Sequence, residues 1–316
     1  MMLNYRYDSA VIVGAIAYDE IMDFPGKFVD YLDPKKLHQI NVSFVVDRLE
    51  KQLGGVATNI AYNLSLLTTK KISIVGAVGK DGKQFIHFFK KNNINTENLI
   101  TDKNLYTSTG KVITDNLDNQ IWGFYYGASG SAKKIQLTKT INQSSLFVLT
   151  ATHPDVFLKF QNQLSKSGRD FLYDPGMVLT WIDNKDLRQG VKNCRWLVGN
   201  DYEIGMILKR LSTTVKELTK SFNLRIITTL GEKGVIYEAK SERYRIKSYK
   251  VKKIVDPTGA GDAWRGGFTA GILEGKSIAE SLRLGNALAS FAIENYGTVN
   301  HRPNKKDIYK RFQTLL

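Results

Sequence analysis

One cysteine in 316 residues leaves no partner for an intrachain disulfide, which suits a reducing compartment. Cys194 sits in Cys194-Arg195-Trp196-Leu197-Val198, a strand approach, and reads as packing rather than as a nucleophile. Proline is scarce, at 6 residues, and no segment is of low complexity, so a globular chain with a large core is expected. The apolar run Ala10 to Ala17 is too short to span a bilayer. It ends in Tyr18-Asp19-Glu20 and follows no basic region, so it is not read as a signal peptide. No membrane association and a cytoplasmic location are expected. Clustered positive charge is missing too. The net charge is +15, yet Lys70-Lys71, Lys90-Lys91, Lys133-Lys134, Lys252-Lys253 and Lys305-Lys306 are isolated pairs. No basic helix or aromatic-interleaved basic run occurs, which argues against nucleic acid as a partner. Most of the charge reads as a solvated surface, with a basic field for a phosphate-bearing substrate as an additional reason. There is no G-x-x-x-x-G-K-[ST] loop and no G-x-G-x-x-G, since the sixth position after Gly259 and Gly261 is Trp264. His38, His87, His153 and His301 lack metal-ligand spacing, and no nucleophile elbow occurs.

What is present is alternation. Ala10–Ala17 and Ile72–Gly79 are continuous apolar runs, as strands buried on both faces are. After Gly130, candidate strands at 146–149, 171–174, 196–199, 224–229 and 235–237 alternate with candidate helices at 155–167, 185–192, 201–210 and 214–222. That order predicts βαβ units and a parallel sheet. Three strands end in polar residues, Asp174, Asn200 and Thr228-Thr229, at the edge where such sheets bind ligands. Asp19 belongs to the same edge if 10–17 is one strand. Residues 23–51 are irregular, with Asn41–Val46 as a half-exposed strand, and 111–126 reads as a hairpin turning at Asn116–Asn119. The hairpin and the 23–51 excursion fit a small sheet that serves as a lid or an interaction face. Helices are expected near 277–294 and 305–312.

The chain centres on Ile254-Val255-Asp256-Pro257-Thr258-Gly259-Ala260-Gly261-Asp262, a short strand, a turn of small residues and a helix start. Gly259 and Gly261 let backbone approach a ligand, and the unpaired N–H groups of the first turn attract an anion. Asp262 is placed to reach a hydroxyl waiting to attack. An ordinary capped helix is the competing reading. Gly54-Gly55 opens a second helix, with Asn59 in its first turns as a donor and acceptor for a polyol.

With these residues in view, the chain resembles the ribokinase-like (PfkB) family of carbohydrate and nucleoside kinases over nearly its whole length. The 256–262 stretch is similar to the family's D-T-x-G-A-G-D with Pro in second place, and Gly54-Gly55, Asn59 and Gly76–Asp81 are similar to its N-terminal signature. Asn200–Glu203 resembles N-x-x-E, and Thr229–Gly234 resembles T-x-G-x-x-G. The resemblance implies a single α/β domain over 1–316. It would be a three-layer ribokinase-like fold with a mostly parallel central sheet and a small β-sheet lid from about 18–51 and 105–128. It implies ATP- and Mg²⁺-dependent phosphoryl transfer to a small nucleoside or sugar. Asp262 would be the general base and Gly259, Ala260 and Gly261 the anion hole. Asp19, Gly55 and Asn59 would bind substrate. Thr229, Gly231, Gly234, Asn200 and Asp256 would serve ATP, and Asn200 and Glu203 would organise Mg²⁺ through water. Details such as Asp174-Pro175-Gly176, Tyr296–Arg302 and Ala17 two residues before Asp19 look most like prokaryotic adenosine kinases of purine salvage. A ribokinase or fructokinase is the alternative within the family, and a non-catalytic sensor on the same fold is a third reading. Thr298 and Asn300 lie where some relatives shape a monovalent-cation (K⁺) site. Arg265, one turn into the helix, reads as a surface ion pair, with phosphate contact as the alternative. A homodimer through the lid is a further expectation.

Overall fold

The computed structural model describes residues 7–32, 39, 41–117, 119–137, 141 and 143–315. Pro34 and Asp118, both expected in irregular or turn segments, lie outside them. The chain runs β1 (Ser9–Val13), β2 (Ala17–Asp23), β3 (Arg48–Gly54), α1 (Val56–Ser65), β4 (Lys71–Val78), α2 (Lys83–Lys91), β5 (Ile94–Thr101), β6 (Ser108–Thr114) and β7 (Gln120–Tyr125). It continues through β8 (Ser145–Thr150), α3 (Pro154–Ser167), β9 (Phe171–Asp174), α4 (Asn184–Asn193), β10 (Trp196–Asn200), α5 (Asp201–Leu211), α6 (Val215–Ser221) and β11 (Arg225–Thr229). The last elements are β12 (Val235–Glu238), β13 (Arg243–Ile246), α7 (Ala260–Leu273), α8 (Ile278–Ala292) and α9 (Lys305–Gln313).

Nine strands form one sheet in the order β13-β12-β11-β10-β9-β8-β1-β4-β5. From β11 to β5 every pairing is parallel. Side chains alternate between two cores, as a strand period of two requires. Ala10, Ile12, Leu146, Val148 and Leu172 pack with α1, α2, α7, α8 and α9, whereas Val11, Val13, Phe147, Leu149 and Tyr173 pack with α3 to α6. These strands are apolar throughout because both faces are covered. The result is the three-layer arrangement expected. A second sheet, in the order β3-β2-β6-β7, is antiparallel except for the β2–β6 pair. No helix among the described residues is long and apolar enough to cross a membrane.

Several boundaries differ from the sequence reading. The 10–17 run is two strands. The chain turns after Val13 because Gly14 packs where a β-carbon would lie 2.0 Å from Thr150 Oγ1, and Ala15 N–H donates to Ala151 O at 2.9 Å. Asp19 therefore belongs to β2 in the small sheet, not to the end of a main-sheet strand. Residues 41–46 form no strand; Phe44 is used instead in an aromatic cluster with Phe24, Phe28 and Tyr31, and β3 begins at Arg48. Ile254 and Val255 form no strand either. They are 61% and 46% exposed, and Val255 N–H donates to Ile293 O at the end of α8. β12 pairs antiparallel with β11, since the short Leu230–Gly234 turn cannot make a crossover. Helix α2 and strands β5 and β13 were not anticipated.

Candidate active site

Asp262 lies in the first turn of α7, whose N-cap Gly259 has φ +77°. A β-carbon there would lie 2.9 Å from Thr298 Cβ, so glycine serves both the left-handed turn and the close packing. The first intrahelical bond runs from Ala263 N–H to Gly259 O at 2.9 Å. Gly261 and Asp262 N–H are thus first-turn donors at the positive end of the helix. Ala260 N–H donates to Pro257 O at 3.2 Å, so that member of the expected anion hole is engaged within the turn.

Asn59 Nδ2, on α1, donates to Asp262 Oδ2 at 2.8 Å, joining residues 203 apart in sequence. Asn59 is itself held from behind. Asn63 Nδ2 donates to Asn59 O at 2.9 Å, and His301 Nε2 lies 2.7 Å from Asn63 Oδ1. Burial pushes the Asp262 carboxyl up to about 6; Arg265 and the Asn59 hydrogen bond pull the other way. Asp19 is raised to about 7, by burial first and then by the charges of Asp262 and Asp256. The two carboxylates therefore sense each other across the space between the small sheet and α7.

Glycines make the room that Asp19 occupies. A β-carbon on Gly54 would lie 2.0 Å from Asp19 Oδ2, and one on Gly110 would lie 3.4 Å from Asp19 Oδ1. The Gly110 position is also 3.3 Å from the Trp122 ring and 3.6 Å from the Phe124 ring. Asp19, Gly110 and Phe124 are cross-strand partners, so the carboxylate and both aromatics share one face of the small sheet. Gly55, with φ +84°, makes the β3–α1 turn, where a β-carbon would meet Ala17 N at 2.5 Å. Its role is to let two chain segments cross beside Asp19.

On the other side of the 259–261 turn is a cleft of ≈ 980 Å³, lined by Thr229, Gly231, Gly234, Pro257, Ala260 and Gly261 among others. Lys233, Lys250 and Lys252 also line it, giving it positive charge. Asn200 and Asp256 lie outside this lining. Asn200 caps α5: its Oδ1 accepts from Glu203 N–H, and Glu203 Oε2 accepts from Asn200 N–H, both at 2.8 Å. Asp256 ties two loops, accepting from Thr258 N–H at 2.8 Å and Gly297 N–H at 3.0 Å. Glu203 is raised above the usual carboxylate range by burial and by Asp174.

Arg265 does make an ion pair, but a buried one. It is 7% exposed; Nη2 donates to Asp174 Oδ1 at 3.0 Å, and Nε lies 2.5 Å from Asp174 Oδ2. Four features escaped the sequence reading: Gly54 beneath Asp19, the Trp122 side chain, the Asp174–Arg265 pair and the lysines at 250 and 252. Only Lys252-Lys253 and Gly54 carried a visible signal, as a charge pair and half of a glycine pair.

A family profile described as pfkB family carbohydrate kinase matches residues 18–305. The nucleoside kinase of Methanothermobacter thermautotrophicus is 31% identical over 304 residues, covering 95% of this chain and 94% of that protein. The ribokinase of Lactococcus lactis is 27% identical over 278 residues, covering 83% and 86%. Among solved structures, the Burkholderia thailandensis nucleoside kinase in complex with inosine superposes with a TM-score of 0.86 at 28% identity, covering 97% of this chain and 98% of that one. The same kinase with ADP-inosine gives 0.83, covering 97% and 96%.

Proposed function

As a member of the pfkB family of carbohydrate kinases, the chain is a phosphotransferase with an alcohol acceptor, and we propose that it moves the γ-phosphoryl of ATP to the 5′-hydroxyl of a nucleoside, adenosine or a related purine nucleoside. One observation carries the nucleoside reading. Asp19 and the rings of Trp122 and Phe124 converge over Gly110, on the same side of the turn as Asn59 and Asp262. A ribose has hydroxyls for a carboxylate, and a base has a face for an aromatic ring. A free sugar would use the first and leave the second idle. The relatives named as nucleoside kinases and the inosine complex support the same reading.

Asp262 accepts the hydroxyl proton as the hydroxyl oxygen forms its bond to the γ-phosphorus. The bond from phosphorus to the β,γ-bridging oxygen breaks, and ADP leaves with that electron pair. The turn at 259–261 stands between the basic cleft, which takes the nucleotide, and the Asp19 face, which takes the acceptor. Its N–H groups stabilise charge on the phosphoryl group in flight. The raised Asp262 carboxyl is closer to neutral pH than a free aspartate and so is a better proton acceptor. Small-sheet closure over the acceptor keeps water from taking the phosphoryl group.

Mg²⁺ has no cage of protein ligands: the described residues contain no cluster of three His, Cys, Asp or Glu able to hold a metal. Asn200 Oδ1 and Glu203 Oε2 are used in the helix cap, which leaves Glu203 Oε1 to meet metal-bound water. Such a site fits an ion delivered on the triphosphate, where it supplies neutralising charge. A monovalent cation is proposed at the two loops joined by Asp256, near Thr298 and Asn300. The single domain closes its acceptor side with lid segments near 18–51 and 105–128, and the lid pairs with a second copy. The buried thiol of Cys194 suits a cytoplasmic setting.

The test is an acceptor panel of adenosine, inosine, guanosine, cytidine, ribose, fructose and fructose 6-phosphate, read as ADP formation. Turnover is expected with purine nucleosides. Turnover confined to free or phosphorylated sugars overturns the nucleoside assignment in favour of the sugar-kinase reading, and no turnover at all favours a sensor.

A further inference from the structure

A buried ion pair is an expensive way to hold a helix to a sheet, because both charges lose their water and the attraction between them does no more than offset that loss. Well-packed apolar residues do the same job. The Asp174–Arg265 pair is therefore of interest for where it stands. Asp174 ends β9 in the middle of the large sheet, 5% exposed, and Arg265 lies three residues after Asp262 on the same helix. Residues three apart share a helical face. Two of the guanidinium nitrogens lie against Asp174: Nη2 donates to Oδ1, and Nε is close to Oδ2 in the ion pair but makes no hydrogen bond. The third, Nη1, lies 2.8 Å from the point a β-carbon on Gly261 would take, directly behind the turn. Charged groups face Asp262 from several elements: Arg265 on α7, Asp174 on β9, Glu203 on α5 and Asp19 on β2. Three of these four are acidic, and Arg265 is the cation that offsets them.

We propose that Arg265 is a positioning residue for phosphoryl transfer: anchored on Asp174, it fixes the Gly261 peptide and the Asp262 carboxylate and keeps positive charge behind the turn as the phosphoryl group crosses it. The proposal rests on Asp262 being the base and the turn being the anion hole. The role explains why the pair is ionic rather than apolar. A neutral spacer would hold α7 against β9 as firmly, but it would leave three carboxylates facing an incoming triphosphate. It also explains the guanidinium. A planar group with one edge against Asp174 has Nη1 aimed at the Gly261 turn, which a lysine ammonium cannot reproduce.

Three variants test this: Arg265→Met, Arg265→Lys and the double Asp174→Leu/Arg265→Leu. The double variant removes both charges of the pair together, so neither Asp174 nor Arg265 is left buried without its partner, and its folding is checked by circular dichroism and its Tm. In Arg265→Met and the double variant we expect kcat to fall roughly 10- to 100-fold, the scale of losing one preorganised contact in a transfer site, with the acceptor KM within about threefold of wild type. Arg265→Lys should recover part of that loss. The acid limb of the kcat–pH profile should move to higher pH in Arg265→Met, since removing a cation favours protonated Asp262, and should move less in Arg265→Lys. If a folded double variant keeps wild-type kcat and an unshifted acid limb, the pair is structural and the proposal is wrong. A loss seen only in the acceptor KM would also overturn it, assigning Arg265 to substrate binding. Wild type that turns over no acceptor would instead sink the kinase reading on which the proposal stands.

Discussion

Asp262, the proposed base, also costs the fold something. Its carboxyl is raised from an ordinary 3.8 to about 6, and that of Asp19 to about 7, each by burial first. A raised carboxyl means that the folded chain binds more protons than the unfolded chain between about pH 4 and pH 7. Stability contributed by these two groups therefore falls as pH rises through that window and is lowest above it. Activity runs the opposite way, because a base must be ionised. The prediction is a kcat/KM that climbs from pH 5 and levels off above about pH 7. Asp262→Asn should lower kcat by ~10²-fold or more while nucleoside binding by calorimetry stays nearly unchanged. The same variant should melt no lower than wild type at pH 8, and by the linkage above up to about 4 °C higher, with the gain fading toward pH 4. Near-normal turnover would remove Asp262 from the base role, and a lower Tm at pH 8 would contradict the sign of the burial effect.

Elements show why some of the site is legible in sequence and some is not. The 259–262 turn is local: two glycines, a carboxylate and a helical pattern within one short stretch give the proposed anion site directly. The α5 cap at Asn200 and Glu203 is local in the same way, since a capping box needs only three-residue spacing. Asp19 falls within the lid bounds of about 18–51, but the sequence reads it as emerging from the end of a single 10–17 strand of the main sheet. The bend that moves it into the small sheet depends on Thr150 and on Ala57 N–H, which donates to Ala15 O, and both are distant in sequence. The burial of Arg265 was invisible because its partner is 91 residues away. Ile254 and Val255 misled because β-branched residues suggest a strand, whereas Val255 N–H pairs with Ile293 O, a partner distant in sequence. On the β6–β7 hairpin the same limit hid Trp122, a 52% exposed ring that reads as surface until Gly110 and Asp19 are placed beside it. Trp122→Ala should raise the KM for adenosine about tenfold, in line with a stacking loss of ~1–1.5 kcal/mol, and leave any slow ribose turnover unchanged. Equal effects on ribose and adenosine would mean that the ring closes the lid rather than reading the base.

At the scale of the whole molecule, the two sides of the small sheet have different work. The side with Asp19, Trp122 and Phe124 is the one proposed to face the acceptor. On the opposite side, Leu49, Met22, Ile113 and Ile121 are cross-strand partners in one unbroken row over all four strands. Leu49 is 66% and Ile121 43% exposed. Beside them, Glu20 pairs with Lys51 and Lys111, so the apolar row has a charged border. Strand β7 is also an edge, with a line of unpaired backbone groups. An apolar row, a polar border and an open edge suit an isologous contact, in which the row of one copy packs against the same row of the next. The net charge of +15 opposes association at long range, so burial of this row must outweigh that repulsion, and raising salt should strengthen the dimer rather than weaken it. Sedimentation should give a mass near twice 35.6 kDa. The double variant Leu49→Asp/Ile121→Asp should sediment as a monomer while keeping its purine-nucleoside preference, because neither residue is on the acceptor side. A wild-type monomer would end the dimer proposal. A monomeric variant that had also lost its preference would show that the second copy shapes the acceptor site through the lid.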